Sequence, residues 1–175
     1  MVGITSYGAY VPVYRLGRDV IAKAVGKGGG RGERSVAHFD EDSVTMAVTG
    51  ASNALTAIDR SKVDALFMAT STPPYHEKLA ASIVATALDL GRETRTADFG
   101  NSLRAGTIAI NAAIDAVKAG SAKNVLVAAA DVRMGMPQSD YEQNIGDGAV
   151  AVTIGTEGVL AEIEHSASVL EEIHD

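Results

Sequence analysis

The 175-residue sequence contains no cysteine. Without a thiol, the chain has no disulfide, no thiolate metal ligand and no sulfur nucleophile of its own. The absence of disulfides favours the cytoplasm. Residues 1–16 lack the basic and then apolar pattern of a signal peptide, and no run of about 18 apolar residues predicts a membrane span. We therefore expect a cytoplasmic protein.

Tryptophan is also absent, and aromatic residues make up only 5% of the sequence. A chain that is 46% hydrophobic must then build its core from Ala, Val, Ile, Leu and Met. Such small side chains suit closely packed layers of helix and sheet. The net charge of −7 argues against nucleic acids and anionic membranes as partners, because both require basic surfaces.

Short apolar segments alternate with segments of helical spacing along the chain. Residues 63–69 and 124–130 are almost entirely apolar, as expected of strands that are covered on both faces. Further strands are predicted at 2–11, 94–99, 149–155 and 159–166, and helices at 15–25, 43–58, 79–90 and 103–119. This order predicts a three-layer α-β-α fold with a mixed, mostly parallel sheet and antiparallel strands at its edge.

Two polar segments invite binding hypotheses. The glycine-rich residues 26–35 lack the Gly-Lys-Ser/Thr ending of a phosphate-binding P-loop, so we interpret them as a mobile surface loop. His38, Asp40, Glu41 and Asp42 form a cluster that is compatible with a metal site. Consecutive carboxylates at the start of a helix also serve as caps, and capping is the interpretation that we favour.

The predicted helix 103–119 follows directly after a strand, and it is apolar or small on almost every side. This pattern predicts a helix that is buried all round. Its N-terminus aims unpaired N–H groups and the positive end of its dipole at whatever lies there, which suits an anion or a thioester oxyanion. A central packing helix without chemistry is the alternative.

At this helix the sequence resembles a known family. Residues 98–107 (DFGNSLRAGT) resemble the nucleophile segment of the thiolase superfamily, in particular the archaeal and bacterial hydroxymethylglutaryl-CoA synthases, which have Asp, four residues and then Cys-Lys-Ala-Gly-Thr. Residues 3–12, 40–47 and 146–149 resemble other pieces of the same family in the same order. The resemblance covers most of the chain, with 26–35 as the main unmatched insert.

The resemblance implies that residues 1–175 form a single thiolase-like N-terminal lobe. The family fold has two such lobes, so the second lobe is expected to be missing here or to lie on another chain. The implied substrate is an acyl-CoA thioester, with no covalently bound cofactor. The implied partners are the second lobe, other copies in an oligomer, and a zinc-ribbon/OB-fold protein of the kind that accompanies some relatives.

The sequence departs from the family at positions that carry catalysis. Leu103 stands where the resemblance places the acyl-carrying cysteine, and leucine has no lone pair with which to attack a thioester. Ser71 stands in place of the glutamate acid/base, and Asn144 in place of a threonine that contacts the substrate. His76, in the same loop as Ser71, is a candidate alternative acid/base; a solvated His76–Glu77 pair is the other interpretation.

Two residues beside Leu103 are candidates for the CoA thioester region. Ser102 has no identifiable base beside it, so helix capping is a simpler role than nucleophilic attack. Arg104 replaces the family's lysine, and it suits either a phosphate or carboxylate of the ligand or an interface salt bridge. Lys27, Arg31 and Arg34 are further candidates to contact a phosphate of coenzyme A.

Three hypotheses about function follow. The first is a subunit or N-terminal half of an enzyme that forms or breaks carbon–carbon bonds in acyl-CoA substrates, with non-standard catalytic residues. The second is a non-catalytic structural subunit that completes a cysteine-bearing, thiolase-like partner. The third is an unrelated nucleotide-binding α/β domain.

Overall fold

The computed structural model describes residues 1–26 and 30–169. The described helices are Arg18–Val25 (α1), Ser43–Ala54 (α2), Ala80–Ala87 (α3), Ala105–Lys118 (α4) and Asp140–Asn144 (α5). The strands are Gly3–Tyr10 (β1), Tyr14–Gly17 (β2), Glu33–Val36 (β3), Ala65–Ala69 (β4), Arg95–Phe99 (β5), Val125–Asp131 (β6), Gly148–Gly155 (β7) and Ala161–Glu162 (β8).

Six strands form one sheet in the order β5-β4-β6-β7-β1-β8. β4 pairs in parallel with both β5 and β6, whereas β7 is antiparallel to β6 and β1, and β8 is antiparallel to β1. β1, β4, β5 and β6 therefore run in one direction, and β7 and β8 run in the other. The predicted mixed sheet is confirmed, but the antiparallel strand β7 lies inside the sheet, between β6 and β1, and not at its edge as the sequence predicted.

Helices cover both faces of this sheet, which completes the predicted three layers. α2 and α3 pack on one face over Leu66, Met68 and Leu126, all fully buried. α4 packs on the opposite face over Val125 and Ile154. The buried residues of both cores are Ala, Val, Leu and Ile, with methionine only in the core under α2 and α3, as the composition predicts. No helix in residues 1–26 and 30–169 is long and apolar enough to cross a bilayer.

The acidic cluster before α2 caps that helix, as predicted. The Asp42 carboxylate accepts the backbone N–H of Thr45 at 2.7 Å, and the Thr45 hydroxyl accepts the backbone N–H of Asp42 at 2.8 Å. Glu41 accepts the backbone N–H of His38 at 2.7 Å. The hydrogen bond from His38 holds the pKa of the Asp40 carboxyl below its usual range. Each of these groups thus has a partner within the protein.

The segment around the glycine-rich loop differs from the prediction. Residues 14–17 form strand β2 instead of the first turn of a helix, and β2 pairs with β3, which begins inside the predicted loop 26–35 and ends one residue after it. An ion pair between Arg15 and Glu33 joins the two strands at 3.6 Å. Pairing with a distant segment therefore overrides the local helical spacing. Residues 27–29, including Lys27, lie outside the described residues.

The predicted all-round burial of the central helix is wrong for this chain. α4 starts at Ala105, two residues after Leu103, and it buries one face that includes Ala109, Ala113 and Val117. Ile108 on another face is 44% exposed. Only one side of α4 packs on the sheet, and the exposed side carries the polar residues Thr107, Asn111, Asp115 and Lys118 together with Ile108.

The last strand is also shorter than predicted. The sequence predicts a strand over residues 159–166, whereas strand β8 contains only Ala161 and Glu162, which pair with Ile4 and Gly3 of β1.

We predict that Gly8→Ala lowers the free energy of unfolding by about 1–3 kcal/mol, because overpacking at a close contact forces the backbone to shift. An added Cβ at Gly8 would overlap backbone atoms of Gly50, Asn53 and Ala54 in α2. Urea denaturation followed by circular dichroism measures the change.

Gly106→Ala in α4 is the matched control. Its added Cβ would lie 3.9 Å from the Cβ of Ala129, an ordinary contact, so stability should stay the same or rise by up to about 1 kcal/mol. Equal stability of the Gly8→Ala protein and the wild type would contradict the close packing of β1 on α2.

Candidate active site

A cavity of about 410 Å³ opens where the carboxyl ends of three parallel strands meet the start of α4. The register sets Ala69 of β4 beside Phe99 of β5 and Ala129 of β6, so the loops that follow these strands converge at one edge. The polar or bulky residues that line the cavity include Thr70, Ser71, Ser102, Leu103, Asp131 and Val150.

Leu103 lies in the turn between β5 and α4, and its side chain is 72% exposed at this cavity. The turn is sharp because Asn101 adopts a left-handed conformation with φ 59°, which asparagine tolerates better than most residues. The first turn of α4 carries no acidic residue, and Gly106 leaves its backbone open to the cavity. The positive end of the helix dipole is therefore available to a negatively polarised oxygen.

Asp131, at the end of β6, organises the loop after β4. Its carboxylate accepts five hydrogen bonds: from the hydroxyls of Thr70, Ser71 and Thr72 at 2.9, 3.0 and 3.1 Å, and from the backbone N–H groups of Ser71 and Thr72 at 2.7 and 3.2 Å. The Thr72 hydroxyl in turn accepts the backbone N–H of Val132 at 3.0 Å. The two loops are thus joined side by side.

Ser71 lies between two charged groups of opposite sign. Its hydroxyl donates to Oδ2 of Asp131 and accepts from Nη1 of Arg133 at 2.7 Å. The guanidinium of Arg133 also lies over the ring of Tyr141, with 6.0 Å to the ring centroid. Ser71 is therefore held in one orientation at the wall of the cavity.

A buried ion pair supports the connection between β6 and β7. Arg34 and Asp147 approach to 3.7 Å with side-chain exposures of 10% and 3%. Asp147 also accepts the backbone N–H groups of Arg133 and Ala37, both at 2.8 Å. Arg34 donates to the backbone oxygens of Arg133 and Glu142, both at 2.9 Å. The guanidinium of Arg34 thus binds groups of the protein itself, which indicates a structural role.

The structure brings some of the sequence candidates together and leaves others apart. Ser71, Ser102 and Leu103 share the cavity. The Ser102 hydroxyl accepts the backbone N–H of Arg104 at 3.1 Å, in line with a capping role. Arg104 is exposed and donates to the hydroxyl of Ser168 at 2.9 Å.

His76 and Asn144 are exposed, and neither is among the described residues that line the cavity. Sequence reasoning missed Asp131 and Arg133. The available signal was the position of Asp131 at the end of an apolar strand, which a parallel sheet places at the same edge as Ser71.

Comparison with known proteins agrees with this geometry. No family model matches the chain. Its sequence is 35% identical over 177 aligned positions to the hydroxymethylglutaryl-CoA synthase of Methanosphaera stadtmanae, covering 96% of this chain and 51% of that protein. The chain spans about half the length of the curated relatives it matches.

Two similar solved structures contain coenzyme A ligands. MvaS in complex with 3-hydroxy-3-methylglutaryl coenzyme A superposes with a TM-score of 0.82 and 28% identity, over 90% of this chain and 40% of that one. A hydroxymethylglutaryl-CoA synthase complexed with coenzyme A gives 0.81 and 25%, over 89% and 42%.

The sheet order, the helix layers and the superpositions define a thiolase-like lobe. More particularly, the chain is homologous to the N-terminal half of the hydroxymethylglutaryl-CoA synthases. The family resemblance seen in the sequence is thereby confirmed.

We predict that Asp131→Asn lowers the free energy of unfolding by about 1–3 kcal/mol, because the amide would set N–H donors against groups that themselves donate. Asp115→Asn on the exposed side of α4 is the control and should change stability by less than about 0.5 kcal/mol. Chemical denaturation of both variants measures the difference. Equal stabilities would show that Asp131 does not join the two loops.

Proposed function

We propose that this chain is the acyl-CoA-handling lobe of an enzyme that forms or breaks carbon–carbon bonds, of the hydroxymethylglutaryl-CoA synthase and thiolase type. In this proposal the lobe acts without an acyl-cysteine. The observation that carries it is the cavity at the start of α4, with Leu103 at its edge. The proposal takes Ser71, Leu103 and Asn144 as the family's catalytic positions with altered chemistry. It takes His76 as a candidate alternative acid/base.

The choice of a coenzyme A thioester is supported by the similar structures that hold 3-hydroxy-3-methylglutaryl coenzyme A and coenzyme A. The cavity offers what a thioester carbonyl needs, namely a helix N-terminus that can stabilise charge on its oxygen. In the proposal the thioester is a substrate, and no cofactor is bound covalently.

Leu103 limits which reaction the lobe can support. A claisen-type condensation through an acyl-enzyme needs a nucleophile at this place, and a hydrocarbon side chain cannot supply one. Aldol or retro-aldol chemistry needs stabilisation of an oxyanion and a base, but it needs no covalent acyl carrier. This class of reaction fits the cavity best.

A second thiolase-like lobe, on the same or another chain, is the proposed partner. α4 leaves Ile108 44% exposed, and Val150 beside the cavity is 48% exposed. Leu103 and Val150 are both exposed at the cavity, and exposed apolar side chains that share a site are typical of a surface that another protein covers. An oligomer, a zinc-ribbon/OB-fold partner and a cytoplasmic location stay predictions from the sequence.

A structural role is the second candidate function. Leu103 is compatible with a lobe that has lost catalysis and now only completes a cysteine-bearing, thiolase-like partner. The two candidates differ in whether the cavity of this chain binds a thioester, which the following experiment tests.

Leu103→Cys tests the cavity directly, since it would be the only thiol in the chain. We expect an acyl-CoA to acylate this cysteine at least about tenfold faster than a cysteine elsewhere, because the helix N-terminus favours the thiolate and the cavity holds the thioester. Intact-mass spectrometry over time measures the rate, and the wild-type chain should gain no mass.

Ser61→Cys, in an exposed turn on another part of the chain, is the matched control. Equal acylation rates at positions 103 and 61 would contradict a thioester site and would favour the structural role.

The partner is tested by Ile108→Glu. A charge in place of the exposed apolar side chain of Ile108 should weaken the association of the native complex by at least about tenfold, because it would be buried without a counter-charge. Thr86→Glu on the exposed surface of α3 is the control. Sedimentation of the purified proteins measures association; a wild-type chain that stays monomeric in its native source would contradict the proposal.

A further inference from the structure

Four apolar and aromatic side chains form an exposed patch beside the start of α2. Val13 and Tyr14 are exposed, and Phe39 is 91% exposed. The ring of His38 stacks on the ring of Tyr14 with 5.0 Å between their centroids, and its centroid lies 4.3 Å from that of Phe39. None of the four is among the described residues that line the cavity at α4. We term Val13, Tyr14, His38 and Phe39 the aromatic patch.

Phe39 is held in the solvent by a turn with defined hydrogen bonds. The backbone N–H of Glu41 donates to the backbone oxygen of His38 at 3.0 Å, and the backbone N–H of His38 donates to the carboxylate of Glu41 at 2.7 Å. The other two phenylalanines of the chain, Phe67 and Phe99, are partly buried and pack on each other. Because the turn is already fixed, a partner that covers Phe39 loses little affinity to ordering it.

Two carboxylates border the aromatic patch. Asp40 and Glu41 line a cavity of about 460 Å³ together with Tyr14, and the side chain of Asp40 is 67% exposed. Arg15 of β2 is engaged elsewhere, because it pairs with Glu33 at 3.6 Å and donates to the backbone oxygen of Tyr14 at 2.9 Å. The surface beside the rings therefore carries negative charge.

Aromatic rings next to carboxylates favour a cation as the ligand. The guanidinium of arginine fits this surface better than the ammonium of lysine, because it is planar, stacks on rings and is more weakly hydrated. It also donates two parallel hydrogen bonds to a carboxylate. The methylene groups of arginine can pack on an apolar side chain such as Val13. A chain with a net charge of −7 is itself complementary to a partner that presents positive charge.

We propose that the aromatic patch is a docking surface for an arginine side chain of a partner protein. The guanidinium lies on the exposed rings of Tyr14 and Phe39 and pairs with the carboxylate of Asp40, while its methylene groups contact Val13. This inference is independent of the proposed function, since it uses no residue of the cavity at α4.

The test is an NMR titration of the full chain with the acetylated and amidated tripeptide Leu-Arg-Leu. We expect the backbone amide signals of residues 13–14 and 38–41 to shift, with a Kd of about 1–10 mM for so short a probe. The same tripeptide with citrulline in place of arginine keeps the shape and loses the charge. It should bind at least about fivefold more weakly.

Two variants of the patch remove its two kinds of contact. Phe39→Ser removes a ring and Asp40→Asn removes a charge, and each should weaken binding of the arginine peptide by at least about threefold. Tyr75→Ser and Asp115→Asn are the matched controls, because they remove an exposed ring and an exposed charge elsewhere, and they should leave the Kd unchanged.

Equal binding of the arginine and citrulline peptides would overturn the proposal. Shifts confined to other residues, or an unchanged Kd in both Phe39→Ser and Asp40→Asn, would overturn it as well. If the signals of residues 38–41 shift with protein concentration before any peptide is added, a second copy of the chain covers the patch, and the assignment to an arginine of another protein is wrong.

Discussion

The carboxylate of Asp131 is the interaction on which the site depends. It lies at the end of β6 and accepts hydrogen bonds from both the backbone and the hydroxyls of the loop that follows β4. Such a concentration of donors on one carboxylate fixes a loop that would otherwise be free to move. These hydrogen bonds determine the shape of this wall of the cavity and the orientation of Ser71 in it.

Around this carboxylate, charges alternate along the edge of the sheet. Arg133 lies two residues after Asp131 in the chain, and its guanidinium donates a hydrogen bond to the hydroxyl of Ser71. Its backbone N–H donates to the carboxylate of Asp147, and its backbone oxygen accepts from Arg34. The buried Arg34–Asp147 pair would leave an uncompensated charge if either partner were removed, so its role is to hold strand β3 and the β6–β7 connection together. A binding site requires surrounding contacts of this kind, because they hold the residues that touch the ligand in place.

Much of the fold could be predicted from the sequence. The nearly all-apolar runs at β4 and β6 indicate buried central strands, and Asp42 marks the start of α2 by a local rule of helix capping. β2 and β3 could not be found, because their pairing joins residues 14–17 to 33–36 across a glycine-rich segment with no strand pattern. The exposed side of α4 was also missed, although Thr107, Asn111, Asp115 and Lys118 mark it as the polar side of the helix.

The residues of the candidate site could also be predicted only in part from the sequence. Ser71 and Leu103 were found through their positions in motifs, whereas Asp131 and Arg133 act through contacts between loops that are about 60 residues apart in the chain.

The central claim is that this cavity holds a coenzyme A thioester without a covalent bond. A crystal structure of the chain, with any protein that stays bound to it, in complex with an acyl-CoA tests the claim most directly. We predict the acyl group in the cavity between Ser71 and Leu103, with the thioester oxygen at the start of α4; a ligand bound elsewhere on the protein would contradict it.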